Sequence, residues 1–158
     1  MVYFITISAL KEVSYINNNV DDEQLKIIIQ RVQNVHLSEM LNKTFYDHLI
    51  DAVDNATLTA KETTLISTYL QPYIVCLSEI KATVFLKTQI RKKTVGQNND
   101  EYMTSSSKEL LNDLNAEKVV FENNIKRFLS DNEADFPLYF NSTDDNCNKV
   151  YNVNINFI

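Results

Sequence analysis

The sequence predicts a mainly α fold, a helical bundle of about four to five helices with short N-terminal and C-terminal β-strand extensions. Three observations point there. The 158 residues hold one Gly and two Pro, too few for the turns that an all-β fold consumes. Apolar residues recur at spacings of three and four through most of the chain, as in helices with one buried stripe. Capping pairs stand where those stripes begin: Asp21 with Gln24, Thr59 with Glu62, and Ser106 with Glu109.

In chain order, Tyr3, Ile5 and Ile7 alternate with Phe4, Thr6 and Ser8, which predicts a short strand, and Ser8 then caps a helical turn over residues 9–13. Asn17, Asn18 and Asn19 break the pattern. Asp21 opens a helix to about Leu41, its stripe carried by Leu25, Ile28, Ile29, Val32, His36 and Met40 with Val35 beside them. Asn42 interrupts it, and Phe45, Leu49, Ile50 and Val53 carry a shorter helix that ends near Asp54 and Asn55. From Thr59 the stripe of Leu65, Ile66, Tyr69, Leu70, Tyr73, Ile74 and Leu77 continues past Pro72 to about Lys92. Proline lacks an N–H and crowds the carbonyl four residues back, so a bend or division is expected at Pro72. Cys76 and Phe85 widen that apolar face, which implies burial on more than one side.

Residues 95–107, with Gly96 and the serines Ser105, Ser106 and Ser107, predict a loop. The last helix, capped by Ser106, holds Leu110, Leu111, Leu114, Phe121, Ile125, Phe128 and Leu129 and ends near Asn132. Past Pro137 a polar link leads to Tyr151, Val153, Ile155 and Phe157, which alternate with Asn152, Asn154 and Asn156 in the cleanest strand pattern of the chain. The organisation expected is one helical domain over residues 1–140 and an extended C-terminal arm, 141–158, ending in a strand.

Composition narrows the function. At 44% hydrophobic and 23% charged the balance is that of a globular domain, and no apolar run is long enough to cross a bilayer. The 15 Lys and Arg against 21 Asp and Glu leave a formal charge of -6, which disfavours sequence-specific DNA reading. Cys76 and Cys147 form neither a disulfide framework nor a metal cluster and suit a reducing compartment. The first residues lack a basic stretch and a small-residue cleavage site, so no signal peptide is expected.

The two histidines are the only side chains whose ordinary pKa lies near neutrality, so a catalytic base would be sought there. His36 falls on an apolar stripe and His48 lies beside Asp47, and both read as packing or hydrogen-bonding residues. A di-iron carboxylate site would need Glu-x-x-His on two helices, and Gln33 and Phe45 stand where those Glu would be. No enzyme, metal or cofactor is therefore expected. The aromatics of residues 136–140 suit a binding patch or core packing equally. Lys87, Arg91, Lys92 and Lys93 form the basic cluster, read first as a solvated helix C-terminus and second as a contact to nucleic acid or an acidic neighbouring subunit.

The order of elements, and above all Leu41-Asn42-Lys43-Thr44-Phe45-Tyr46-Asp47-His48-Leu49, resembles the head-tail connector (adaptor) proteins of tailed bacteriophages and is similar to the neck ring proteins of crAss-like phages. That family's phrase runs hydrophobic-Leu-Gly-x-x-aromatic-Tyr-Asp-x-Leu. Here Asn42 replaces the glycine, and Asn tolerates a left-handed backbone second best to Gly, so a left-handed conformation is expected at this corner. The resemblance implies a structural virion protein, a homo-oligomeric neck ring of about twelve subunits joining the portal protein to the next connector or tail protein. DNA would pass through the channel without sequence-specific binding, with no membrane partner. The C-terminal strand, through Tyr151, Val153, Ile155 and Phe157, would bind a neighbour. The alternative is a monomeric α-helical phage-encoded regulator that binds a host protein through the surface of residues 69–85.

Overall fold

The computed structural model describes residues 2–16, 20–93 and 100–141, and for 86–93 and 100–107 the backbone alone. The fold is mainly α. Its first helix, α1 (Ile7–Val13), starts at Thr6, whose hydroxyl accepts the Ala9 N–H at 3.1 Å, so the cap is Thr6 and not Ser8. The strand expected over Tyr3, Ile5 and Ile7 does not form. Phe4 and Ile5 are both buried, so the two-residue alternation fails in space. Instead of a ladder, two glutamine side chains satisfy the Phe4 backbone. Its N–H donates to Gln33 Oε1 at 2.9 Å and its carbonyl accepts from Gln71 Nε2 at 2.7 Å.

Helix α2 (Asp22–Arg31) is capped by Asp21, which accepts the N–H groups of Glu23 and Gln24 at 2.9 and 3.1 Å. It runs on through a π-helical turn (Val32–Leu37) and a last α turn (Ser38–Met40). The wider turn moves the buried stripe on by about one residue. Gln33, Leu37 and Leu41 are buried where an unbroken α period would have placed His36 and Met40, and Val35 faces solvent.

Helix α3 (Lys43–Asp54) follows at once, packing Phe45, Tyr46 and Leu49 inward. It closes with Thr57 N–H on Ala52 O at 2.9 Å and Ala56 N–H on Val53 O at 3.3 Å, with Ala56 at φ 54. This is the paired C-terminal closure that glycine usually serves, here built on alanine. Helix α4 (Ala60–Thr64) carries the expected capping box of Thr59 and Glu62 and passes through a second π turn (Leu65–Leu70) into α5 (Gln71–Lys93). The division expected at Pro72 thus sits immediately ahead of it. The widened ladder falls where proline lacks a donor and where its ring crowds the preceding turn.

Helix α6 (Asp100–Asp131) starts earlier than the sequence pattern predicts. Residues 100–107 are helical, so the loop does not extend over them, and Ser106 lies inside the helix and not at its start. Serine and threonine lower helix propensity by only a few tenths of a kcal/mol each, roughly, which a long anchored helix absorbs. Residues 94–99 lie outside the described part. So does the predicted C-terminal strand.

Helices α5 and α6 form an antiparallel pair: Tyr73 OH donates to Glu122 Oε1 at 2.8 Å, and Cys76 Sγ donates to Leu114 O at 3.2 Å farther along α5. Helix α5 buries Tyr73, Ile74, Cys76, Leu77 and Ala82, whereas Phe85, expected to widen the buried face, is exposed. Leu25, Ile29, Leu49, Leu70, Ile125 and Leu129 complete the core, each worth roughly 1.5–3 kcal/mol of burial. A 3-10 turn (Glu133–Asp135) and α7 (Pro137–Phe140) return the chain to α3. There Phe136 meets Phe45 and Phe128 at ring separations of 5.6 and 5.9 Å, and Tyr139 meets Phe45 at 6.0 Å. These aromatics are packing.

Candidate functional site

A groove of about 460 Å³ opens where α1 lies over α5 and α6. Helical spacing builds each wall. On α1 Ala9 and Val13 are one turn apart, with Ile5 just ahead of the helix; on α5 Gln71, Val75 and Glu79 recur every four residues; on α6 Glu117 and Phe121 are one turn apart. Two hydrogen bonds orient α1 parallel to α5. Gln71 holds the Phe4 carbonyl at one end, and at the other the Tyr15 N–H donates to Glu79 Oε1 at 2.7 Å.

The groove is polarised as a result. Pro72, Val75 and Phe121 line one end together with Ser67 and Gln71, while Glu79 and Glu117 make the other acidic. Glu79 is only 6% exposed, and among the described residues no cation lies within ion-pair distance of it. Burial pushes its carboxyl above the usual carboxylate range, the Tyr15 N–H opposes that, and the Glu117 charge adds to it. The neighbouring Cys76 thiol is pushed up to about 11, first by burial and then by Glu117 and Glu79. It is therefore a protonated donor and a poor nucleophile.

Two further polar arrangements hold the frame. Glu62 joins α4 to α3: its Oε1 meets His48 Nε2 at 2.6 Å and its Oε2 accepts the Thr59 N–H at 2.8 Å. Burial raises the Glu62 carboxyl, but the bonds from Thr59 and His48 outweigh it and hold the group below the ordinary range. His48 thus acts as a hydrogen-bonding residue. The imidazole of His36, half-buried on the π turn, has its pKa lowered first by burial and then by the nearby Lys81 and Lys118 charges. Among the described residues no group of three or more His, Cys, Asp or Glu is placed to hold a metal ion.

The second arrangement is the corner at Asn42, which is 2% exposed with φ 55 and ψ 154. The expected left-handed conformation is met in φ alone: φ is positive, but ψ lies far from the left-handed helical value and in a region that glycine dominates. Its Oδ1 accepts the Phe45 N–H at 2.8 Å, capping α3, while its Nδ2 donates to Tyr139 O at 2.9 Å and Leu138 O at 3.4 Å. One side chain starts a helix and tethers α7.

Of the residues singled out by sequence, Lys87, Arg91, Lys92 and Lys93 lie on the last turns of α5, where the backbone alone is described. Tyr151, Val153, Ile155 and Phe157 lie outside the described residues. Tyr15, Gln71, Glu79 and Glu117 were not singled out. Glu79 did leave a signal, as a charge between Leu77 and Ile80 in an apolar run.

A family model matches residues 37–149, which is more than half of the 158-residue chain, from the end of the first π turn through the Asn42 corner and both long helices. The chain belongs to the DUF6712 family. DUF6712 is a family of unknown function. The match takes in the α5 and α6 walls of the groove and leaves α1 and Gln33 outside it. No curated protein and no solved structure matches the chain.

Proposed function

We propose that this DUF6712 chain is a structural virion protein, a subunit of a neck ring of about twelve copies that joins the portal protein to the next connector or tail protein. DNA passes through the ring without sequence-specific binding, and the work of the chain is assembly, not catalysis. The observation that carries this reading is the Asn42 corner. The phrase that resembles the connector family usually has glycine, the residue most at ease at positive φ, where Asn42 stands, and Asn42 adopts φ 55 while capping α3 and tethering α7. The -6 charge is compatible with a channel that lets DNA slide.

The competing regulator was expected to bind through residues 69–85. There Tyr73, Ile74, Cys76 and Leu77 are core, while Val84 and Phe85 are exposed and Val75 and Glu79 line the groove. The test is quantitative mass spectrometry of purified particles of the virus that encodes the chain, with electron cryo-imaging of the neck. The expected result is about as many copies as portal subunits, placed at the head-tail interface. A chain absent from particles and recovered as a monomer on a host protein would overturn the reading.

A further inference from the structure

We propose that the groove between α1, α5 and α6 binds a small organic cation, a primary ammonium on an apolar body, with the ammonium at Glu79 and Glu117. The inference is independent of the ring reading and goes beyond it.

The first argument is a buried carboxylate with an oxygen to spare. A charge taken out of water is costly unless it is matched and its remaining lone pairs are satisfied. Glu79 is 6% exposed, and its Oε1 accepts the Tyr15 N–H at 2.7 Å, while its Oε2 has no donor among the described residues. Among those residues the Ser78 hydroxyl is the one fully sealed side-chain oxygen or nitrogen without a partner. The free Glu79 oxygen is therefore not sealed, and it is reached from the groove that the residue lines. The flanking cations are engaged elsewhere. Lys11 on α1 pairs with Asp22 at 2.7 Å, and Lys118 on α6 pairs with Glu122 at 3.4 Å. Lys81, two positions on from Glu79 and so turned about 200° around α5, acts on His36.

The second argument is what else stands at that end. Glu117 lies beside Glu79 and is exposed, so it supplies a second negative charge at the mouth while Glu79 supplies one within. The Tyr15 side chain, 86% exposed, lines the same end and offers a ring face to a cation. With Glu79 Oε1 already taken, the paired bonds of a guanidinium to one carboxylate are not available there. A compact ammonium, with three donors that need no such pairing, suits one free oxygen and a neighbouring carboxylate.

The third argument is size and the character of the remaining wall. From Glu79 the α5 wall runs back through Val75 to Gln71, eight residues or roughly 12 Å. Val75, Pro72 and Phe121 give apolar surface along it, and Ser67 and Gln71 close it with polar groups. The volume of about 460 Å³ falls within the roughly 300–1,000 Å³ of small-molecule sites. An alkyl or aralkyl amine thus covers the apolar wall with its body while its head meets the carboxylates.

Isothermal titration calorimetry of the full chain with hexylammonium chloride tests this, with hexanol and ammonium chloride as probes that lack the charge and the apolar body. Hexylammonium should saturate one site per chain, and each control should bind at least about tenfold more weakly, the scale of one lost charge-assisted hydrogen bond. Glu79→Gln keeps an oxygen for the Tyr15 N–H but loses the charge, and it should weaken hexylammonium by about tenfold or more. Glu117→Gln, at an exposed position, should weaken it about threefold, and Asp51→Asn on the exposed face of α3 should leave it unchanged. Circular dichroism verifies that each variant is folded, and Glu117→Gln keeps the test decisive if Glu79→Gln does not fold. In isotope-labelled protein the largest amide shifts on titration should fall on Tyr15, Glu79 and Glu117. No saturation, hexanol binding as tightly as hexylammonium, indifference to the Glu79 and Glu117 variants, or shifts confined to other surfaces would overturn the proposal. A dimer that dissociates as hexylammonium saturates would assign the groove to a second copy and overturn it too.

Discussion

Replacing Asn42 probes the corner on which both the fold and the proposed function depend. Asn42→Ala leaves the backbone at φ 55 but removes two kinds of bond. Loss of the cap on the Phe45 N–H, 2.8 Å long, costs about 1 kcal/mol. Loss of the 2.9 Å bond to the Tyr139 carbonyl costs about 1 kcal/mol more. Asn42→Ala should therefore destabilise by about 2 kcal/mol, a shift of roughly 1 M in the urea midpoint followed by far-UV circular dichroism. Asn42→Gly forfeits the same bonds, but it relieves about 1–3 kcal/mol of backbone strain and should fall within about 1 kcal/mol of the parent. Asn42→Val adds a β-branched clash and should cost about 3 kcal/mol or more. The order Gly, Ala, Val is the test. Equal losses for Gly and Ala, or a valine variant near the parent, would show that the positive φ is not what Asn42 is there to supply.

Four further outcomes follow from the same geometry. Ile28→Ala, in the core, should lower stability by about 2–5 kcal/mol in denaturant titration, whereas Phe121→Ala, on the groove wall, should cost clearly less. Ala56→Gly should raise stability by roughly 0.5–1 kcal/mol, because alanine is strained at φ 54 and glycine is not. Glu62 has a depressed pKa in the fold, so its contribution is complete above about pH 4.3 and is lost as pH falls through the lower folded value. Glu62→Gln should flatten the acid limb of a melting-temperature profile, and an unchanged limb would remove Glu62 from the acid response. Deleting residues 149–158 should leave helicity and melting of the isolated chain nearly unchanged while abolishing incorporation into particles.

What the sequence by itself determined is what is local. Asp21 and Thr59 cap helices within three residues of themselves, and the apolar stripes of α3, α5 and α6 follow from side-chain spacing along one helix. The positive φ at Asn42 was legible too, because a polar residue between two stripes marks a corner. Tertiary structure decided the rest. Tyr3, Ile5 and Ile7 alternate with Phe4, Thr6 and Ser8 as a strand would, yet Gln33 and Gln71, roughly 30 and 70 residues away from Phe4, supply the hydrogen bonds that a strand partner would have given. The π turns at Val32–Leu37 and Leu65–Leu70 shift the helical phase to suit packing, and so put Gln33 inside and leave Val35 outside. Glu79 reads in sequence as one charge in an apolar run. It becomes the acidic end of a groove only because α1 folds back along α5 and α6 brings Glu117 beside it, and such meetings between distant segments leave no periodic trace in any one of them.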